Sequence, residues 1–578
     1  MRINDVEKIT GLTQKAIRLY EAKGLICVSR DENGYRNYSE EDVALLKKIR
    51  ILRAAGISIS NIKLYICGIT SLDELIDERK TEILKENGRN SEKFHICESI
   101  PQKIINDDFE SAIMFTEDAE VPSGYGDISV GIDIGTTTVS AVVYDIDNKR
   151  QLEAFSIPHN SCILSDIYSE QSVSAIIDKA EKLLYHILKC YTNIVSIGLT
   201  GQMHGIVYID DNGAAVSDLI NWQDKRGDSI LDNGKTACEN IADITKEKIS
   251  TGYGITTHYY NLYNGIVPEQ ATGFCSIMDY LGMKICGLKK PIIHTTVAAS
   301  FGIFDVKKCE FKKDKLSALG IEEGFLPCVT GEALVIGECN TIPVSVAIGD
   351  NQASILGTVR ENSDSILVNI GTGSQISAVC DYKEVSGDLE LRPFIEGKYL
   401  VCGAALCGGY AYSMLEQFFR SYASYIGISD DPQYNIINRI ACEAYDDGIV
   451  GLEVDVSFFG KRSDPDKRGM IKGIDRQNFN PKSLVLGVLK GMCNELYDLY
   501  EEIGEKRSKV IASGGAVKKI GILKNLIAEC FDMRVSVNSV EEEAATGAAL
   551  FSAYAVKRIR YINGFSEHIN DLYEENGI

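Results

Sequence analysis

The sequence has no long hydrophobic run, one tryptophan and eleven prolines among its 578 residues. No stretch approaches the roughly 20 apolar residues that a membrane-spanning helix needs, and the polar start MRINDVEKIT is unlike a secretory signal. The seventeen cysteines are scattered, the closest pair being Cys402 and Cys407, so neither a C-x-x-C metal motif nor a compact disulfide pattern is present. These absences argue against a membrane or disulfide-stabilised protein and predict reduced cysteines and a cytoplasmic location.

Charge is unevenly distributed along the chain. The net charge is −22, but residues 1–70 contain twelve Lys or Arg and eight Asp or Glu, a balance of +4 that leaves −26 for the rest. The acidic body argues against nucleic-acid binding by the whole surface, whereas the basic head is compatible with it. The length exceeds what one hydrophobic core supports and predicts about three domains.

Ser129–Asp145, SVGIDIGTTTVSAVVYD, alternates apolar with small or polar residues on both sides of a GTTT turn, which is typical of a β-hairpin. Glycine lets the backbone approach a polyanion closely, and threonines offer hydroxyl and N–H donors. Asp133, just before the turn, can bind Mg²⁺ or its waters. Alone, the motif is equally compatible with an ordinary turn. The candidate phosphate-binding residues of this turn are Gly135, Thr136, Thr137 and Thr138.

A second copy of this hairpin, ILVNIGTGSQISAVCD, begins at Ile366, 236 positions after Val130. Two hairpins at this spacing indicate a duplicated domain with a nucleotide between the halves. Asn369 stands where the first copy has Asp133, so only the first half is predicted to hold the metal. The turn of the second copy adds the nucleotide-binding candidates Gly371, Thr372 and Gly373.

With a GDNQ motif at Gly349–Gln352 and a diglycine before a helix in Ser513–Cys530, these hairpins resemble the FGGY carbohydrate kinases over residues 127–557. The resemblance implies an α/β protein with the two-lobed actin-like, ribonuclease-H-like fold that transfers a phosphoryl group from ATP with Mg²⁺. It also implies that Asp350 is the catalytic base, although an Asp at this position equally suits the cap of a helix that starts at Asn351.

Within that family the likeness is strongest to the sedoheptulokinases, through TGQMHG at Thr200–Gly205, NWQD with Arg226, TGYGITT at Thr251–Thr257 and the segment Ser276–Pro291. The resemblance implies phosphorylation of a ketose on its primary hydroxyl. Sedoheptulose, xylulose and ribulose all remain open, since the pocket depends on loops that the sequence does not place.

The sugar-binding candidates lie in two short motifs. His204 follows an apolar strand among glycines, where open α/β sheets place ligands, and the resemblance implies that the Met-His pair contacts the sugar. Trp222 can pack its face on a sugar or lie in the core. The predicted sugar-binding residues are Gln202, Met203, His204, Trp222, Asp224 and Arg226. Diglycines before helices expose N–H groups to anions, and those predicted to flank the nucleotide are Gly408, Gly409, Gly514 and Gly515.

Two residues depart from the family pattern. The hairpin position that is often Arg or Lys in family members is Ser140, and Lys519 matches an Asn that contacts adenine in some members. The resemblance therefore says less about how phosphate is held and which nucleotide is used than about the fold.

The basic head has helix-turn-helix spacing: a helix from Asn4 to Thr10, a turn at Gly11, and a second helix from its N-cap Thr13 through Ala22. A hairpin turning at Asn33-Gly34 predicts a wing. The motifs R-x-Y-E-x-x-G-L, G-Y-R-x-Y and R-x-x-G resemble the MerR family of transcription regulators, which implies duplex DNA as a partner; a helical protein-interaction module is the alternative. The DNA-binding candidates are Lys15, Arg18, Tyr20, Tyr35, Arg36 and Tyr38.

The predicted organisation is a winged helix-turn-helix domain (1–70), a helical segment and linker (71–126), and first (127–359) and second (362–557) kinase halves. The MerR resemblance implies that the helical segment pairs with its counterpart in a homodimer. The apolar stripe available for this contact is partial and interrupted by Arg79, and it consists of Leu72, Leu75, Ile76, Ile83 and Leu84. The polar stretch 87–126 predicts a flexible tether. The alternative function is a sugar-responsive transcription factor whose kinase part only senses.

Overall fold

The computed structural model describes residues 1–30, 35–86, 93, 96–97, 124–165, 167–358, 364–371, 373–428, 431–461, 463–464, 466–537 and 540–559. They form a small helical head followed by two α/β lobes. None of the helices in these ranges combines the length and apolarity needed to cross a bilayer.

The head is a helix-turn-helix with a short two-stranded wing, as the sequence predicts. Gly11 turns the chain with φ 67°, and the Thr13 hydroxyl caps the second helix by accepting from the Ala16 N–H at 3.2 Å. The turn at Asn33-Gly34 lies outside the described residues. The elements are α1 (Ile3–Thr10), α2 (Gln14–Ala22), β1 (Ser29–Arg30), β2 (Arg36–Asn37), α3 (Glu40–Ala54), α4 (Ile59–Ile66) and α5 (Leu72–Glu86).

The first lobe is built on a seven-stranded sheet in which the hairpin of the GTTT motif is central. Its elements are β3 (Ile128–Ile134), β4 (Thr138–Asp145), β5 (Arg150–Pro158), β6 (Cys162–Leu164), β7 (Ser169–Gln171), α6 (Val173–Cys190), β8 (Ile194–Gly201), β9 (Val207–Ile209), β10 (Leu219–Ile220), α7 (Ala237–Thr245), α8 (Gly254–Tyr263), β11 (Gly273–Cys275), α9 (Ile277–Cys286), β12 (Ile292–His294), α10 (Thr295–Ala298), β13 (Phe304–Asp305), β14 (Glu310–Phe311), α11 (Lys313–Ala318), β15 (Cys328–Thr330), β16 (Val335–Cys339), β17 (Ile342–Ser345), β18 (Ile348–Gly349) and α12 (Asp350–Thr358). The strand order is β16-β17-β8-β3-β4-β5, with β18 also paired to β8.

The second lobe repeats the plan on a six-stranded sheet in the order β21-β22-β20-β19-β25-β26. Its elements are β19 (Ser365–Ile370), β20 (Ser374–Cys380), β21 (Leu389–Pro393), β22 (Tyr399–Ala405), α13 (Gly408–Tyr425), α14 (Tyr434–Asp446), β23 (Glu453–Asp455), β24 (Met470–Lys472), α15 (Pro481–Ile503), β25 (Lys509–Ser513), α16 (Gly515–Lys519), α17 (Leu523–Phe531), β26 (Arg534–Val537) and α18 (Glu543–Ala555).

The two sheets show the duplication directly. In each lobe the motif hairpin is antiparallel and its first strand pairs in parallel with a later strand: β3 with β8, and β19 with β25. Asp133 is thereby opposite Thr200, and Asn369 is opposite Ser513. The predicted two-lobed fold is confirmed.

Helix α18 packs against the first lobe although it follows the second in sequence. A Cβ on Gly131 would lie 1.8 Å from the Ala545 carbonyl oxygen, and one on Gly198 would lie 1.9 Å from that of Ala548. Such close approach of backbones requires glycine in the strands and small residues on the helix. The helix therefore ties the end of the second lobe to the centre of the first sheet.

Candidate active site and nucleic-acid interface

The candidate catalytic groups lie at the carboxyl ends of three neighbouring strands. Ile134 of β3 and Gly349 of β18 are both opposite Gly201 of β8. The GTTT turn, the TGQMHG loop and Asp350 therefore emerge from one edge of the sheet, the edge at which open α/β sheets bind ligands.

The GTTT turn is held by side chains from three neighbouring segments. The Gln171 amide donates to the Thr136 carbonyl at 2.6 Å and the Gln202 amide donates to that of Gly135 at 3.3 Å. His159 Nε2 donates to the same Gly135 carbonyl at 3.2 Å, with Nδ1 accepting from Ser161 at 2.7 Å. These bonds fix the turn, whose remaining N–H and hydroxyl groups are of the kind that bind anions; the Gly135 N–H itself donates to the Thr138 carbonyl at 2.9 Å.

Asp133 lies beneath this turn. Burial, together with the negative charges of Asp350 and Glu542, raises the pKa of Asp133 to about 8. A carboxyl in such acidic surroundings gains stability from a bound cation. Mg²⁺ is typically held by one or two carboxylates together with substrate phosphates, and within the described ranges no cluster of three or more metal-ligating side chains occurs. Asp133 therefore fits a metal that arrives with a nucleotide.

Asp350 begins helix α12 directly after strand β18. Its carboxylate accepts from the Asn351 N–H at 2.6 Å, and Asp350 is the first residue of the helix rather than the cap of one that starts at Asn351. Burial raises the pKa of Asp350 to about 6, although the Asn351 hydrogen bond and the positive charge of Arg392 both lower it. A carboxylate with this pKa is ionised at neutral pH and basic enough to accept a proton.

The loop after β8 forms a wall beside Asp350. His204 has φ 76°, donates from Nδ1 to the Ser300 carbonyl at 2.7 Å, and stacks on the Tyr253 ring at a centroid distance of 4.6 Å. Met203 is buried beneath Gly349, where an added Cβ would lie 2.7 Å from the Met203 sulfur. The backbone of His204 thus has a positive φ that few non-glycine residues adopt, while the Ser300 hydrogen bond and the Tyr253 stack hold its imidazole in place.

Trp222 is not a core residue. It is 46% exposed, and its indole Nε1 donates to the Thr136 hydroxyl at 3.0 Å. The ring thus extends the wall from the sugar candidates to the phosphate-binding turn.

Asp224 and Arg226, two of the predicted sugar-binding residues, form a buried ion pair. Both are buried, and the Arg226 guanidinium donates to both oxygens of Asp224 at 2.7 and 3.1 Å. It also donates to Asn261 and Glu170, each at 2.8 Å. A buried guanidinium requires charged or polar partners, and Arg226 has them in Asp224, Asn261 and Glu170. These bonds hold the loop that also carries Trp222.

The glycine-rich segments of the second lobe, predicted to flank the nucleotide, lie close to one another. The Gly409 N–H donates to the Gly371 carbonyl at 3.1 Å, and the Gly371 N–H to that of Gly373 at 2.9 Å. A Cβ on Gly408 would lie 2.4 Å from Gly373, and one on Gly514 2.5 Å from the Ile370 oxygen. Next to these contacts Gly515 faces open space. Thr372 lies outside the described residues.

The DNA-binding candidates of the head divide by exposure. Lys15, Arg18 and Tyr35 are exposed, and Arg36 is partly exposed and pairs with Glu21 at 2.5 Å. Tyr20 and Tyr38 are 6% and 1% exposed and belong to the core of the head. The prediction that these two tyrosines contact DNA is therefore wrong; their rings position α2 and the wing instead.

The head is packed onto the first lobe, whereas most of the predicted tether, residues 87–126, lies outside the described residues. Leu64 and Ile69 are buried within the hydrophobic cluster of the first lobe, and α4 packs against β5. Lys63 pairs with Glu153 of β5 at 3.2 Å, with both side chains about nine-tenths buried.

A second ion pair extends the same interface. Lys179 of α6 donates to both oxygens of Glu74 in α5, at 2.9 and 2.8 Å. Leu75, Ile76 and Ile83, which were predicted to pair two chains, are buried in the core of the head. These three residues of the α5 stripe therefore pack within the chain, and the side chain of Leu84 lies outside the described residues.

Several site residues have no motif in the sequence. His159, Gln171 and Tyr253 act on the turn or on His204, and each is a single polar or aromatic residue in an otherwise unremarked segment. Only His159 had a usable signal, because it follows the strand that pairs with the hairpin.

Comparison with known proteins agrees with this geometry. Residues 128–357 and 394–556 match the models of the N-terminal and C-terminal domains of the FGGY family of carbohydrate kinases. Residues 1–67 match the MerR HTH family regulatory protein.

Individual relatives are distant but cover most of the chain. Sedoheptulokinase of Homo sapiens is 24% identical over 478 residues, covering 73% of this chain and 96% of the relative. A xylulose kinase of Staphylococcus epidermidis is 24% identical over 482 residues, covering 78% and 93%. The structure of ligand-bound xylulose kinase from Lactobacillus acidophilus superposes with a TM-score of 0.66 at 20% identity, covering 78% and 92%.

Proposed function

Because the chain belongs to the FGGY family of carbohydrate kinases and carries a MerR-type helix-turn-helix domain, we propose that it phosphorylates the primary hydroxyl of a ketose with ATP. The observation that carries this proposal is the meeting of Asp350, the GTTT turn and the His204 wall at one sheet edge. These groups supply a base, an anion cradle and a substrate wall, which is what phosphoryl transfer requires.

In the proposed reaction Asp350 accepts the proton of the sugar hydroxyl as its oxygen bonds to the γ-phosphorus. The bond between that phosphorus and the β–γ bridging oxygen breaks, and ADP leaves. The turn Gly135–Thr138 holds phosphate oxygens through N–H and hydroxyl donors, and the glycines at 408–409 and 514–515 flank the nucleotide. Mg²⁺, when bound near Asp133, would neutralise phosphate charge.

The proposed sugar surface consists of His204, Met203, Gln202 and Trp222. The stacked His204–Tyr253 pair and the half-exposed indole offer an aromatic wall of the kind that packs on sugars. Sedoheptulose is the first substrate to test, with xylulose and ribulose next, because relatives of both the sedoheptulokinase and xylulose kinase types match the chain.

The test is a coupled ADP-release screen of the purified full chain across ketoses, with aldoses and glycerol as comparison substrates. We expect one ketose to give turnover of ordinary kinase magnitude, about 1–100 s⁻¹. ATP turnover that no sugar stimulates would refute the kinase proposal and favour a sensor.

We further propose that the head binds duplex DNA through the exposed face of α2 and the wing, using Lys15, Arg18, Tyr35 and Arg36. Gel shifts of genomic fragments, including the region upstream of the chain's own gene, test this proposal. Affinity that falls steeply with salt is expected because basic side chains displace counterions; no shift at low salt would favour the protein-interaction alternative.

The docked head favours a second function, sugar-responsive DNA binding. Strand β5 carries Glu153 at the head interface and is followed by His159, which donates to the Gly135 carbonyl of the phosphate-binding turn. One strand thus joins the head to the nucleotide site. Ligands that move this strand can change DNA affinity, provided that the protein has two conformations of the strand and the ligands bind one of them more tightly.

A further inference from the structure

Strand β21 of the second lobe lies against the helix that begins with the proposed base. The Gln352 amide of α12 donates to the Pro393 carbonyl at 3.0 Å, and the Asn351 amide donates to Gln375 of β20 at 2.9 Å. Arg392, next to Pro393 in β21, is therefore near the start of the helix that Asp350 begins.

The Arg392 side chain is only 13% exposed and donates from Nη2 to Glu390 at 2.8 Å. Although burial alone would lower it, the pKa of Arg392 is held above its ordinary value by Glu390, Cys402 and Tyr253. Tyr253 is the residue that stacks on His204. The positive charge of Arg392 in turn lowers the pKa of Asp350, so the guanidinium is near enough to interact electrostatically with both the proposed base and Tyr253.

The charges around the reaction site leave a role for this cation. Asp133, Asp350 and Glu542 make the first-lobe side of the cleft acidic, and the turn Gly135–Thr138 contains no basic side chain. A phosphoryl group approaching these carboxylates would be repelled unless a cation accompanied it. Guanidinium suits this task because its planar fork can bind a carboxylate and phosphate oxygens together.

We propose that Arg392 is a further catalytic residue that contacts the transferring phosphoryl group when both substrates are bound, with Glu390 positioning it. This inference rests on the proposed kinase function. It assigns to the second lobe an active part in the chemistry besides holding the nucleotide, and it requires the lobes to be together when transfer occurs.

The test compares Arg392→Lys and Arg392→Ala with Arg507→Lys, a control in the same lobe. Arg507 is also buried and ion-paired, but it bonds Glu505 and the Val379 carbonyl away from the cleft. We expect kcat to fall on the order of 10²–10³-fold in both Arg392 variants, in line with removal of a transition-state cation. The KM for the sugar should change less than about threefold, because the lost contact forms in the transition state. Added guanidinium ion should restore part of the kcat of Arg392→Ala if the variant lacks only the cation. It should restore none if the substitution instead damages the structure of the site.

Retention of more than half of the wild-type kcat in Arg392→Ala, or a raised KM for the sugar at unchanged kcat, would overturn the proposal. If Arg392→Ala does not fold, as judged by thermal unfolding, Glu390→Gln decides. This variant keeps Arg392 but removes the negative charge that positions its guanidinium. The kcat should fall about tenfold with KM unchanged. An unaltered kcat would overturn the inference. A wild-type chain inactive on every sugar would instead refute the proposed function.

Discussion

Reversing one charge at the head interface should disconnect DNA binding from the kinase lobes. Lys63 and Glu153 are 10% and 9% exposed and lie 3.2 Å apart. Glu153→Lys would place two ammonium groups at this distance in a largely desolvated site. The variant leaves every residue of the proposed active site and of the DNA-contacting face unchanged.

The magnitude follows from the burial of the pair. An exposed pair is worth about 0–1 kcal/mol, whereas breaking a buried one costs about 3–5 kcal/mol because a charge is left uncompensated. With both side chains about nine-tenths buried, the larger figure applies. It exceeds the ~1–3 kcal/mol of typical allosteric coupling, which corresponds to about a 5- to 150-fold change in affinity. Glu153→Lys should therefore remove all of the coupling.

The assay titrates a bound genomic DNA fragment with and without saturating ketose and a non-hydrolysable ATP analogue. We expect the ligands to change the DNA affinity of the wild-type chain at least about fivefold. They should not change the DNA affinity of Glu153→Lys. In the double variant Lys63→Glu/Glu153→Lys, which restores an ion pair, the ligands should again change the DNA affinity. Lys182→Glu is the matched control, since Lys182 lies on α6 but its pair with Asp178 is half exposed.

Amide hydrogen exchange supplies a readout that needs no operator. In Glu153→Lys the amides of α4 should exchange faster, while those of α2 should not change, because only the docked face is released. An undiminished ligand response in Glu153→Lys would refute the role of this contact. Equal DNA affinities with and without ligands in the wild-type chain would show two independent functions on one chain.

Three further outcomes are expected. Asp350→Asn should reduce sugar phosphorylation by about 10²–10⁴-fold and leave ATP affinity, measured by calorimetry, nearly unchanged; more than half of the wild-type turnover would contradict its role as base. Because burial raises the pKa of Asp350 to about 6 and only the carboxylate accepts a proton, kcat/KM should be constant above that pH and fall as pH decreases through it; a flat profile down to pH ~5, well below that pKa, would argue for another base. Lys15→Ala and Arg18→Ala should each reduce the salt dependence of DNA binding by about one counterion, whereas Tyr38→Phe should not, since that ring is buried.

The fold was predictable because it rests on features that are local in sequence. Each motif hairpin is a continuous apolar alternation broken by a glycine turn, and its repetition announces two related lobes. The helix-turn-helix is equally local, since Gly11 and Thr13 specify a turn and a cap whatever surrounds them. The glycine segments of the second lobe were also predictable, because close backbone approach requires glycine.

The roles of individual side chains were harder to predict. The sequence gives the type of a charged or aromatic residue, but not whether it contacts a ligand or other residues of the protein. Asp224 and Arg226 have the composition of a sugar site but satisfy each other. Tyr38 sits among basic residues but fills the head core. Arg392 lay in no motif, and its proposed role follows from the Gln352–Pro393 hydrogen bond that holds β21 beside the Asp350 helix.

The docking of the head shows why linker composition is a poor guide to domain coupling. A polar connection restricts only how far two domains can separate; whether they stay together depends on the surfaces that meet. In the sequence, Leu64 and Ile69 resemble ordinary residues of the head core. The spacing of apolar residues does not indicate that both are buried against the first lobe. Burying two such side chains contributes about 1.5–3 kcal/mol each, and the Lys63–Glu153 and Lys179–Glu74 pairs fix the orientation. The proposed coupling rests on this contact, because it lies on β5, the strand that leads to His159 and the GTTT turn.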